Sequence, residues 1–136
     1  MINIKTKEEL TEILFAYYKN IKEGNLEAQA LLMTPTSYYI SLEALGYQRA
    51  FKNKNFKKLL KSIAKDDIAL KTIEAVLSDD MAAIAREPII TLVSFDVIGP
   101  DRITLHYRED NHPKKLYFSA QHGRWLIDYK AGRRIY

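Results

Sequence analysis

The hydrophobic repeat of this 136-residue chain changes once, at Pro88, from a helical period of 3.6 residues to a strand period of 2. Everything before that point reads as helix, and everything after it reads as short strands joined by tight turns. Short turns force neighbouring strands to run antiparallel. The expected fold is therefore α+β: helices over residues 7–86 packed on a four-stranded antiparallel meander over 89–130, together forming a single domain over 1–136.

The helical part divides at its punctuation residues. Thr6 is placed to cap a first helix over about 7–23, whose stripe Leu10, Ile13, Leu14, Tyr17 and Ile21 faces inward and which Gly24 ends. Asn25 can cap a second helix from Leu26 to Met33, stopped by Pro35. Thr36 or Ser37 can cap a third segment carrying Tyr38, Tyr39, Leu42 and Leu45, although Tyr38 to Ser41 also fits a short strand. From Asn53 to Lys65, Phe56, Leu59, Leu60 and Ile63 share one side of a helix. A further helix begins near Asp66 or Asp67 and carries Ile68, Ile73, Val76 and Leu77, with Ser78-Asp79-Asp80 as a cap for a last turn, Met81 to Arg86.

In the strand region, Ile89 to Ile98 is the most apolar run and reads as a strand covered on both sides for part of its length. Arg102 to Arg108 alternates, with Ile103, Leu105 and Tyr107 inward and Thr104, His106 and Arg108 outward. Asp110 to Pro113 forms the next turn. Leu116, Phe118 and Ala120 then face in against Lys115, Tyr117 and Ser119, and after a turn at His122-Gly123 the last strand turns Trp125, Ile127 and Tyr129 inward and Leu126, Asp128 and Lys130 outward. On this parity no inward residue of the last three strands is a carboxylate or a histidine.

The wording Tyr17-Tyr18-Lys19-Asn20-Ile21-Lys22-Glu23-Gly24-Asn25-Leu26-Glu27-Ala28, the helix end Met33-Thr34-Pro35 and the closing Trp125-Leu126-Ile127-Asp128-Tyr129 resemble the nuclear transport factor 2-like superfamily. The resemblance implies a cone in which helices pack into a bent sheet around an apolar pocket. Residues 37–87 read as almost wholly helical, where that family usually has a strand hairpin. Its members include isomerases, dehydratases, cyclases, transport adaptors, immunity proteins and ligand binders, so the likeness implies a fold and leaves the chemistry open. Its enzymes place an Asp, His or Tyr on the pocket wall.

Composition removes several function classes. Cysteine is absent, which excludes disulfides, thiolate nucleophiles and Cys-based zinc sites. Three scattered histidines, His106, His112 and His122, have no metal-ligand spacing, so neither metal nor cofactor is expected. Phosphate-binding glycine loops and a G-x-S-x-G elbow are missing, and no catalytic residue is assigned. Apolar stretches are too short for a transmembrane helix, and the charged start has no signal-peptide run, which makes the cytoplasm the expected location.

Two constellations remain. Nine tyrosines are many for this length, and Tyr17, Tyr107, Trp125 and Tyr129, with Tyr18 nearby, can wall a pocket for an apolar ligand bearing one or two polar atoms, or simply fill the wet edge of a core. Arg49 to Lys65 carries seven positive charges and no negative one. Within it Lys54, Lys57, Lys58, Lys61 and Lys65 fall in a helical stripe about 100° wide. That stripe fits a solvated face, a surface for an acidic protein or a nucleotide, or a contact with an anionic membrane surface; without interleaved aromatics and arginines it argues against nucleic acid. Look-alike folds often dimerise through the open sheet face, which here carries Thr104, Arg108, Lys115 and Lys130 and leaves a homodimer open. A non-enzymatic adaptor-like or immunity-like binding module is expected, with a small isomerase- or dehydratase-like enzyme using a pocket Tyr or Asp as the alternative.

Overall fold

The computed structural model describes residues 2–50, 54–84 and 87–132, with side chains at 46–50, 54–57, 80–84 and 131–132 outside that description. Among the described residues, the fold is α+β, with five helices followed by a four-stranded antiparallel sheet. They are α1 (Ile4–Glu23), α2 (Leu26–Leu31), α3 (Pro35–Ala50), α4 (Lys54–Ser62), α5 (Asp67–Ile84), β1 (Ile90–Gly99), β2 (Arg102–Glu109), β3 (His112–Gln121) and β4 (Arg124–Ile127), closed by a 3-10 turn, Tyr129–Gly132. The strand order is the chain order, so the sheet is a meander.

Helix starts depart from expectation where a neighbouring side chain caps better. Asn3, not Thr6, starts α1, its side chain accepting a hydrogen bond from the Thr6 amide at 2.8 Å. Asn25 caps α2 by accepting from the Ala28 amide, as the sequence suggests. Pro35 opens α3 rather than merely closing α2. Its missing N–H is not needed in the first turn, and Thr34 serves as the cap, its hydroxyl accepting from the Ser37 amide at 3.3 Å. Tyr38 to Ser41 are thus helical. Asp66 caps α5 through the Ile68 and Ala69 amides. The helix then runs unbroken through Ser78, whose hydroxyl donates to the Gly24 carbonyl instead of capping a new turn. Arg86, the expected end of that turn, lies outside the described residues.

One apolar cluster joins the helices to the sheet. Leu10 and Leu14 of α1, Leu42 of α3, Leu60 of α4 and Ile73 and Leu77 of α5 pack with Leu105, Phe118 and Ile127 of the strands, all buried. Each such side chain contributes on the order of 1.5–3 kcal/mol. On α5 the buried face follows Ala69, Ile73 and Leu77, whereas Ile68 and Val76 are exposed. Each lies one residue, about 100°, before a buried position and so falls off the packed stripe.

β1 is the chief departure. The strand expected to be covered on both sides is an edge of the sheet and contributes no fully buried residue. Val93, Val97 and Ile98 are 58%, 49% and 60% exposed. Register shifts between Leu92 and Ser94 and between Val97 and Gly99 interrupt its pairing with β2. They account for the change of parity along the strand, since Leu92 lies opposite Tyr107 while Phe95 lies opposite Leu105. Lys7 of α1 reaches over the Phe95 ring, 5.9 Å from its centre. The opposite edge is protected. The link between α2 and α3 lies parallel to β4, with the Ile127 amide donating to Leu32 at 2.8 Å and the Thr34 amide donating to Ile127 at 2.9 Å.

Strand parity in β2 and β3 is as expected, with Ile103, Leu105, Tyr107, Leu116 and Phe118 buried on the helix side. Thr104 and Ser119, expected to be solvated, are also buried. Asp128 accounts for Ser119 by folding back over it, accepting from its hydroxyl at 2.9 Å. β4 stops at Ile127, short of the expected Lys130, because Asp128 accepts from the Lys130 amide and closes a turn. No helix among the described residues is long and apolar enough to cross a membrane.

Candidate functional site

The β2–β3 hairpin is longer than its sequence suggests, and the extra length builds the site. Its turn is Asp110-Asn111 alone, both residues having positive φ of 51° and 70°. Asp and Asn tolerate this left-handed conformation better than most residues, which allows a two-residue connection. Asp110 also exchanges hydrogen bonds with Ile89, donating from its amide and accepting at Oδ1 from the Ile89 amide, both at 2.9 Å. The strands therefore run on to Glu109 and His112, and Lys114 lies opposite Tyr107. Continuing the parity, Glu109 and Lys114 fall on the same sheet face as Tyr107.

That face meets α1 at a cleft of about 440 Å³. Tyr17 and Tyr18 come from α1, Tyr107 from β2 and Tyr129 from the 3-10 turn. The apolar Ile21, Pro88 and Leu116 complete the wall, while Glu109, Asp110, Lys114 and Lys115 come from the hairpin. The Tyr18 and Tyr107 hydroxyls share a hydrogen bond of 2.8 Å across 89 residues of sequence. Their rings meet edge to face, as do those of Tyr17 and Tyr18 with centres 5.2 Å apart. Tyr129 is held by its amide, which donates to Ser37 Oγ at 2.9 Å.

The cleft keeps its phenols protonated. Burial, above all, raises the pKa of Tyr17, Tyr18 and Tyr107 above their ordinary value of 10.0. At Tyr17 the neighbouring Tyr129 reinforces the rise, and at Tyr18 hydrogen bonding to Tyr107 and Glu109 does so. At neutral pH the wall thus offers ring faces and O–H groups; Glu109 and Asp110 are its half-buried acidic side chains. General base chemistry by tyrosine would need the phenolate, which this setting disfavours.

Of the residues singled out in the sequence, Tyr17, Tyr107 and Tyr129 come together here. Trp125 does not join them. It lies half-buried in a separate cleft of about 310 Å³ with Ile13, Leu31, Leu32 and Arg124. Glu109 escapes the sequence pattern, because a turn over Asp110 to Pro113 ends the expected strand at Arg108. The expectation that no carboxylate faces inward on these strands is corrected by it, and the Asp-Asn pair was the signal that could have found it. His106 faces outward as expected and pairs with Asp96, Nε2 to Oδ2 at 2.6 Å.

On the basic surface, Lys58, Lys61 and Lys65 are exposed while Leu60 and Ile63 are buried. α4 ends at Ser62, so Lys65 belongs to the following turn, where its amide donates to Ser62. The side chains of Lys54, Lys57 and Phe56 lie outside the described residues. Among the described residues, no group of three or more His, Asp or Glu side chains could hold a metal ion. Compared with known proteins, the chain matches no family model, no curated protein and no solved structure.

Proposed function

We propose that this chain is a non-enzymatic binding module of nuclear transport factor 2-like type that holds a small, largely apolar ligand in the tyrosine cleft. The observation that carries the reading is the convergence of four tyrosines, from α1, β2 and the 3-10 turn, on one cleft of about 440 Å³. That volume lies within the range of small-molecule sites, and ring walls with a few hydroxyls suit an apolar body with one or two polar atoms. The test is an amide NMR titration with 2-naphthol. Shifts at Tyr17, Tyr18, Tyr107 and Tyr129, reduced when Ile21→Trp narrows the cleft, support the reading; shifts confined elsewhere, or none at millimolar probe, remove it.

Glu109 favours a second reading. A carboxylate beside the Tyr18–Tyr107 pair could take a proton from carbon next to a carbonyl while a phenol donates to the carbonyl oxygen. Deuterium incorporation into 2-tetralone, lost in Glu109→Gln, would establish this enzyme; exchange equal to buffer alone would exclude it for that substrate class.

The exposure of Lys58, Lys61 and Lys65 supports a separate role in holding an acidic protein. Polyglutamate binding that weakens with salt and in Lys58→Gln/Lys61→Gln is the expected result. Binding indifferent to both would discard that role.

A further inference from the structure

The tyrosine cleft carries side chains of both charge signs. Glu109 is half-buried beside Tyr18, Asp110 is half-buried at the turn, and Lys114 is exposed on the same sheet face as Glu109. Acidic side chains at Glu109 and Asp110 and an ammonium at Lys114 around one cleft set up a field that a neutral ligand leaves unused. A purely cationic ligand would be repelled by Lys114, and a purely anionic one by Glu109. A ligand carrying both charges meets neither conflict.

The spacing on the sheet narrows the class. Glu109 lies opposite His112, and Lys114 lies opposite Tyr107. Glu109 and Lys114 are therefore diagonal neighbours on one face, a relationship that puts the two residues about 7–8 Å apart, with the Cβ atoms somewhat closer. That gap suits two opposite charges borne on adjacent atoms of one small molecule, each making a charge-assisted hydrogen bond of about 2.8 Å to its partner. The remaining wall is ring faces and aliphatic carbon, from Tyr17, Tyr107, Ile21 and Leu116. Ring faces attract ammonium groups as well as apolar bodies.

We infer that the cleft binds a zwitterionic, amino-acid-like molecule with a flat apolar side chain, its ammonium at Glu109 and Tyr18 and its carboxylate at Lys114. This rests on the binding-module reading of the same cleft and goes further by naming the ligand's charges and their orientation.

The test titrates the full chain, by calorimetry and amide NMR, with L-phenylalanine, phenethylamine, 3-phenylpropionate and 2-phenylethanol. Phenylalanine is expected to bind at least about tenfold more tightly than each of the other three, the fold-change that one charge-assisted hydrogen bond supplies. Glu109→Gln should reduce phenylalanine to the level of 3-phenylpropionate, and Lys114→Met should reduce it to the level of phenethylamine. If circular dichroism shows Glu109→Gln to be misfolded, the exposed Lys114→Met carries the comparison alone. Equal binding of all four probes would overturn the zwitterion while leaving the cleft as a site. Binding of 2-naphthol without any of the four would also overturn it. Failure of every probe, 2-naphthol included, would remove both the inference and the reading beneath it.

Discussion

The hydroxyl of Ser37, at the start of α3, accepts a hydrogen bond from the backbone amide of Tyr129, 92 residues later, at 2.9 Å. Ser37 is fully buried and also accepts from the Thr34 hydroxyl at 2.7 Å. A cap in the helical half thereby fixes where the 3-10 turn places Tyr129 in the cleft. Ser37→Ala strands the Tyr129 amide and frees the Thr34 hydroxyl. A loss of about 1–3 kcal/mol is expected in urea unfolding, together with shifted amide resonances at Tyr129; unchanged stability would show that the bond carries no net energy.

Alkaline pH should separate the cleft phenols, together with Tyr38, whose pKa burial and its hydrogen bond to Glu74 also raise, from the rest. Tyr17, Tyr18 and Tyr107 hold their protons above the ordinary value when folded, whereas in the unfolded chain they ionise at about pH 10. Above that pH the unfolded state binds fewer protons than the folded state, so stability falls as pH rises. It should be unaffected by these groups below about pH 9 and then decline by up to about 1.4 kcal/mol per pH unit for each such tyrosine. Ultraviolet titration of phenolate should show a class that ionises only as the fold is lost. If all nine tyrosines titrate together near pH 10 in folded protein, the cleft is wetter than its geometry implies.

The β1 edge presents apolar side chains and no lysine or arginine, the residues that commonly guard such edges. Val93→Lys places a charge on an exposed side chain at a register shift. Stability is expected to stay within about 0.5 kcal/mol, and static light scattering at high protein concentration should show less association. Scattering identical to the parent would mean that any association proceeds through another surface.

Ser78 of α5 donates to the carbonyl of Gly24, which ends α1 with a φ of 68°. Ser78→Ala leaves that junction to water. A cost of about 0.5–1.5 kcal/mol is expected, with faster amide exchange confined to the last turn of α1. Uniformly faster exchange would mean that the contact acts on global stability instead.

The strands' core pattern was legible because parity is a property of the extended backbone. Ile103, Leu105, Tyr107, Leu116 and Phe118 follow from alternation alone, just as Leu10 and Leu14 follow from the helical repeat. Tyr17, Tyr107 and Tyr129 were legible as pocket candidates for the same reason. Trp125 obeyed the same rule, yet it lies in another cleft, since parity gives a face and not a position along it. Glu109 was lost to a single turn, Asp110-Asn111, whose left-handed backbone lengthened both strands.

Sequence by itself determined the class of fold, because backbone geometry sets the periods of helix and strand, and Pro88 marks where one gives way to the other. It could not determine which strand would be covered, since apolar content drives burial only where another element is near enough to exclude water. The tertiary structure made the most apolar strand an exposed edge. It also joined Tyr18 to Tyr107, a contact between residues 89 positions apart that no local pattern encodes, because it depends on where α1 crosses the sheet.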